Sequence, residues 1–99
     1  MRLTRHGRER LRGRMGLSGG APERMAQRAL EHGLPPAAFV GRLRRYLDGR
    51  MLLHPGGCNL RVYGEAVYVF DAHEALVTVL QVPRDMRAAA LAKQREAAS

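Results

Sequence analysis

Beyond Cys58 the apolar pattern of this chain changes from helical to extended. Asn59–Tyr63, Ala66–Phe70 and Leu76–Val82 are three runs rich in β-branched and aromatic residues. Gly64-Glu65 separates the first pair and Asp71-Ala72-His73-Glu74 the second. Breaks this short close hairpins, whereas a parallel crossover needs a dozen or more residues. The expected sheet is therefore an antiparallel meander of three strands, or four if Met51–Leu53 joins it. So small a sheet must cover one face, and the segments before it are the available cover.

Those segments read as helices. Thr4 is a good N-cap for a helix reaching about Met15, in which Leu11 and Met15 lie four apart and anchor one side. Gly7 and Gly13 weaken that helix by roughly 1 kcal/mol each relative to alanine. A loop centred on Gly19-Gly20 follows, and Pro22 suits the first turn of a second helix to His32, ended by Gly33. Pro35-Pro36 is expected to open a third helix to about Leu47, broken by Asp48-Gly49, with Phe39, Leu43 and Tyr46 or Leu47 at helical spacing. Residues 54–57, His-Pro-Gly-Gly, stop the extended segment that follows. After Pro83, residues 84–99 form either a terminal helix or a frayed tail. The fold class expected is α+β, helices first and sheet second, within one domain spanning 1–99.

Charge bears on partners. Residues 1–50 hold twelve arginines against Glu9, Glu23, Glu31 and Asp48, leaving +8, while residues 51–99 balance at zero. Charge gathered in one part of a small domain favours a polyanion, with nucleic acid the commonest. A solvated basic face, or docking to an acidic protein or membrane surface, are the alternatives. No apolar run is long enough to span a bilayer. Cys58 is the only cysteine, which rules out an internal disulfide and suits a reducing compartment, hence a cytoplasmic location.

Phosphate-binding, dinucleotide, calcium and zinc motifs are missing, and the four histidines are scattered, so neither a metal site nor a cofactor is expected. The segment richest in chemistry is residues 3–14. On a helix, His6, Arg10 and Arg14 share a face at spacing four. A histidine there suits proton transfer near neutral pH, and two arginines suit a phosphodiester and the charge building on its transition state. That is equipment for metal-free RNA cleavage by the 2′-hydroxyl; the plainer reading has His6 packing and the arginines in solvent. Arg5, Arg8, Arg42 and Arg45 supply further charge, and Tyr46 is placed to bridge core and surface. In the first strand Arg61 and Tyr63 alternate with Leu60 and Val62, and Tyr63 suits base stacking. Tyr68 and Phe70 are expected in the core. Thr78 sits inside an apolar run, where its hydroxyl needs a partner. Cys58 has no base or ligand beside it in sequence and is not read as a nucleophile.

His6-Gly7-Arg8-Glu9-Arg10 followed by Arg14 resembles the histidine–small–x–Glu–Arg…Arg signature of small prokaryotic and phage-associated proteins. These are grouped with the barnase, EndoU, colicin and RelE-like ribonuclease fold. Asn59–Gly64, Val67–Phe70 and Leu76–Leu80 resemble that group's sheet, and the resemblance covers roughly residues 3–82. It implies N-terminal helices on a curved antiparallel sheet, RNA held on the exposed sheet face, and metal-independent cleavage. Position by position it points to His6 as general base or acid, Arg10 or Arg61 as phosphate clamp, Thr78 as an orienting group, and Arg14 and Tyr63 as further contacts. It also implies an acidic antitoxin or immunity protein as partner, and in some members the ribosome. The usual alanine after the histidine is Gly7 here, and the loop and extra helix over 16–50 are longer than in compact members.

The leading expectation is thus a RelE-like RNA endonuclease, toxin- or phage-associated. A non-catalytic basic nucleic-acid-binding module, or a phage-related interaction protein whose basic face docks an acidic partner, are the alternatives.

Overall fold

The computed structural model describes residues 3–16, 19–53 and 59–98; the side chain of His6, and His54 to Cys58, lie outside the described part. Three strands, β1 (Asn59–Tyr63), β2 (Ala66–Phe70) and β3 (Leu76–Gln81), form one antiparallel sheet in the order β1-β2-β3. The meander therefore has the topology that its short breaks demand. Gly64, at φ 64°, supplies the left-handed residue of the first turn. In the second, the Asp71 carboxylate accepts from the backbone N–H groups of His73 and Ala75. Val82 lies past the end of β3, but its N–H still donates to the Glu65 carbonyl.

Among the described residues four helices surround the sheet: α1 (Arg5–Met15), α2 (Ala21–His32), α3 (Gly41–Leu52) and α4 (Arg87–Ala98). Thr4 caps α1 as its sequence suggests. Its hydroxyl accepts from the Gly7 N–H and donates to the Leu76 carbonyl, which also accepts from the Thr4 N–H. One residue thus starts the helix and fastens it to the start of β3. Pro22 lies in the first turn of α2, and the Gly33 N–H closes that helix on the Ala29 carbonyl.

The third helix departs from expectation. Pro36–Ala38 make only a 3₁₀ turn, Phe39 and Val40 are extended, and α3 begins at Gly41. The chain is held straight just before this point, because Leu34 exchanges both backbone hydrogen bonds with Val62 at the outer edge of β1. Asp48-Gly49 does not break α3. The Asp48 carboxylate accepts from Arg44 one turn back, and Gly49 is exposed, so the helix continues to Leu52. Met51 and Leu52 are accordingly helical, and no fourth strand forms among the described residues.

The expected single covered face is also corrected: helices cover both. Directly paired residues point to the same side of a sheet, so the register assigns every side chain. Ala66, Tyr68 and Phe70 pack with Leu11 of α1 and with Ala26 and Ala29 of α2. Leu60, Val62, Val67 and Val69 pack with Phe39, with Leu43 and Leu47 of α3 and with Ala90 of α4. All of β2 is buried as a result. Gln94 of α4 grips the first hairpin, donating to the Gly64 carbonyl and accepting from the Gly64 N–H. No described helix is long and apolar enough to cross a membrane.

Candidate nucleic-acid interface

α1 runs alongside β3 in the same direction. Thr4 stands at Leu76, and the Arg14 guanidinium donates to the Val79 carbonyl at 2.9 Å. Met15 reaches Gln81, whose amide approaches its sulfur at 3.8 Å. Eleven residues of helix and six of strand are both roughly 16–20 Å long, which is why the two elements stay matched. Arg8 marks the flank of α1 that faces α2, where it pairs with Glu23. Helical spacing then puts positions 10 and 14 on the opposite flank, along the outer edge of β3; the side chain of His6 lies outside the described part.

Across that edge stands α3. An open cleft of about 460 Å³ lies between them, lined by Arg14, Tyr46, Arg50, Leu80 and Gln81, none of them acidic. The Arg50 guanidinium lies 5.4 Å from the centre of the Tyr46 ring. Tyr46 itself is half-buried against the core of its face, which holds the ring in place. Arg42 precedes Tyr46 by one turn on the same side of α3 and meets Asp85 at 2.5 Å. Arg14 and Tyr46, both expected contacts, are therefore brought together, and Arg50 and Gln81 join them. Arg50 was legible in principle, because it follows Tyr46 at helical spacing. Ending the helix at Asp48-Gly49 hid it.

Other expected contacts lie elsewhere or are engaged. Arg8 is committed to Glu23, Arg42 to Asp85, and Arg5 and Arg45 are exposed with no ion pair among the described residues. The sheet separates the residues expected to act together from its strands. Arg61 pairs with Tyr68 and faces α1 and α2, whereas Thr78 pairs with Val69 and faces α3. They occupy opposite faces of the sheet and its two outer strands, so they do not share a phosphate. Arg61 also folds back on its own strand, donating to the Asn59 side chain at 2.5 Å and to the Leu60 carbonyl at 3.0 Å. Tyr63 stacks edge-on with Tyr68, centroids 6.4 Å apart, and borders a separate cleft with His32 and Gln94. Thr78 is 6% exposed, on the same face as Leu80 and two residues from it, and does not itself line the α1–α3 cleft.

Among the described residues two ionisations are shifted. Burial pushes the Tyr68 phenol up to about 12, so it stays protonated and belongs to the core. Hydrogen bonds from its own backbone and from Arg8 hold the Glu23 carboxyl below its ordinary value of 4.5. A lowered folded pKa adds stability above the unfolded value, and that contribution is lost as pH falls through the folded one. The difference in urea midpoint between the wild type and Glu23→Gln is thus expected to hold steady from neutrality to about pH 5 and to close in acid. A difference unchanged down to the acid limit would show that the Arg8–Glu23 contact does not link α1 to α2 in solution. Among the described residues no group of three histidine, cysteine or carboxylate side chains is placed to hold a metal ion.

Comparison of the chain with protein-family models, with curated proteins and with solved structures found no match.

Proposed function

We propose that this protein binds RNA along the outer edge of β3, with Arg14 and Arg50 taking phosphates from the two walls of the cleft. The observation that carries this reading is the convergence of two arginines and an aromatic ring, from separate helices, on an open cleft without carboxylates. Arg14 spends one N–H donor on Val79, and a guanidinium has five. Most of the +8 of the first half lies on α1 and α3, the helices that build these walls, which suits a polyanion drawn in by its charge. RNA is preferred to DNA on the resemblance of residues 3–82 to the RelE-like ribonucleases. The cytoplasm, where a lone thiol stays reduced, is the compartment proposed.

A second reading, metal-independent RNA cleavage, is favoured by the course of α1. Arg14 reaches the edge of β3 that the cleft opens on, and His6 and Arg10 precede it in the sequence at spacing four. In this reading His6 accepts the proton of a 2′-hydroxyl, whose oxygen attacks the adjacent phosphorus while the 5′-oxygen leaves and is protonated. A cyclic phosphate results, and Arg10 and Arg14 offset the charge on the phosphoryl oxygens. Arg10 takes the clamp because Arg61 lies on the other face of the sheet; Thr78, two residues before Leu80 on the strand, orients. An acidic protein that shields these arginines would silence either activity.

Both readings are tested with purified protein and labelled RNA in excess EDTA, with and without ribosomes. Binding is expected to weaken steeply with salt. The wild type is expected to leave cyclic or 3′-phosphate ends, and His6→Ala to slow scission by roughly 10²–10⁴-fold with little change in affinity. Salt-dependent binding without scission would remove the second reading and leave the first. Binding that ignores salt, or none, would remove both.

A further inference from the structure

We infer that the α1–α3 cleft takes an unpaired nucleotide, with its base seated between the Tyr46 ring and the Arg50 guanidinium. This rests on the RNA-binding reading and names what that site selects. Tyr46 and Arg50 are one turn apart on α3, with the guanidinium 5.4 Å from the ring centre. Bases stack on aromatic rings and on guanidinium planes alike, so a small opening of this pair presents two stacking surfaces to one base. The cleft, about 460 Å³, falls within the range of small-molecule sites and suits one nucleotide. In a duplex both faces of each base are covered by neighbours, which leaves none for Tyr46.

Two neighbours fit the rest of a nucleotide. Gln81 is exposed, and among the described residues its amide nitrogen meets only the Met15 sulfur, a weak acceptor, at 3.8 Å. Its donors and acceptor are thus placed to meet a base edge. Arg14, held on the Val79 carbonyl, directs its remaining donors to the phosphate on the α1 side. A lysine at position 50 keeps the charge but loses the planar stacking surface.

The test compares binding of a short fluorescent RNA single strand and of its blunt duplex across a salt series. Tyr46→Leu is expected to bind the single strand roughly 5- to 100-fold more weakly, with the salt slope unchanged because no cation is lost. Tyr46→Phe, which keeps the ring and its packing, is expected to bind like the wild type. Arg50→Lys is expected to lose affinity for the single strand at constant salt slope. Equal wild-type affinity for strand and duplex, or Tyr46→Leu and Arg50→Lys both matching the wild type, would overturn this inference while RNA binding itself stood. Absence of any salt-dependent RNA binding would instead overturn the reading on which it rests.

Discussion

Replacing Gly7 with alanine is expected to lower the urea midpoint of unfolding, although alanine is the better helix former. A Cβ built at position 7 would stand 2.4 Å from the Leu76 carbonyl oxygen, 3.0 Å from its carbon and 3.2 Å from the Thr4 hydroxyl oxygen. The nearest group is backbone, and it is the acceptor on which Thr4 fastens α1 to β3. Relief therefore requires the whole helix to move off the strand. Overpacking of this kind costs about 1–3 kcal/mol or more, against about 0.5–1 kcal/mol recovered from helix propensity. The sign is thus a net loss, expected at up to about 2.5 kcal/mol once the propensity gain is subtracted. Gly13 supplies the control within the same helix. It is exposed, and a Cβ there meets nothing within 4 Å, so Gly13→Ala is expected to gain about 0.5–1 kcal/mol. Equilibrium unfolding of the two variants decides the matter. If both gain stability, α1 does not press on Leu76 as described.

The second large effect is on RNA affinity. Arg14→Ala combined with Arg50→Ala removes one cation from each wall of the cleft and leaves the Arg8–Glu23 pair and both cores untouched. Charged hydrogen bonds to phosphate contribute about 1.5–3 kcal/mol each, so a loss of roughly 10²–10⁴-fold at low salt is expected. The slope of log affinity against log salt should fall by about 1.4, two contacts at about 0.7 each on a single strand. A control at equal charge, Arg24→Ala with Arg28→Ala on the exposed side of α2, is expected to change affinity much less. Equal losses from the two pairs would mean that RNA follows net charge alone and that the cleft is not the site.

Much of the architecture follows from local chemistry. A hydroxyl at Thr4, a ring at Pro22 and a glycine at Gly33 act within a turn of themselves, and the elements they bound appear where they indicate. The breaks at Gly64-Glu65 and Asp71–Glu74 are likewise local, and they leave an antiparallel meander as the only short route. Position 40 shows where this reasoning ends. Nothing near Phe39 and Val40 forbids a helix after two prolines; the chain is extended there with Phe39 buried in the core, after Leu34 has joined the edge of a strand nearly thirty residues later.

The candidate site divides the same way. The row of His6, Arg10 and Arg14 is legible because helical spacing is a local rule. Which flank of α1 faces the edge of β3 is set by Arg8 meeting Glu23 and by Gly7 lying against Leu76. The separation of Arg61 from Thr78 is beyond any reading of either strand alone. Each alternates as a strand should, but the pairing of Arg61 with Tyr68 and of Val69 with Thr78 sends them to opposite faces.

By itself, then, the chain determined its first two helices, its hairpins and the half in which its positive charge gathers, since these follow from spacing, capping and composition over a few residues. Only the tertiary structure decided that both faces of the sheet are covered and that Arg14, Tyr46 and Arg50 meet across the edge of β3. Strand register and helix docking are relations between distant segments, and no local preference encodes them.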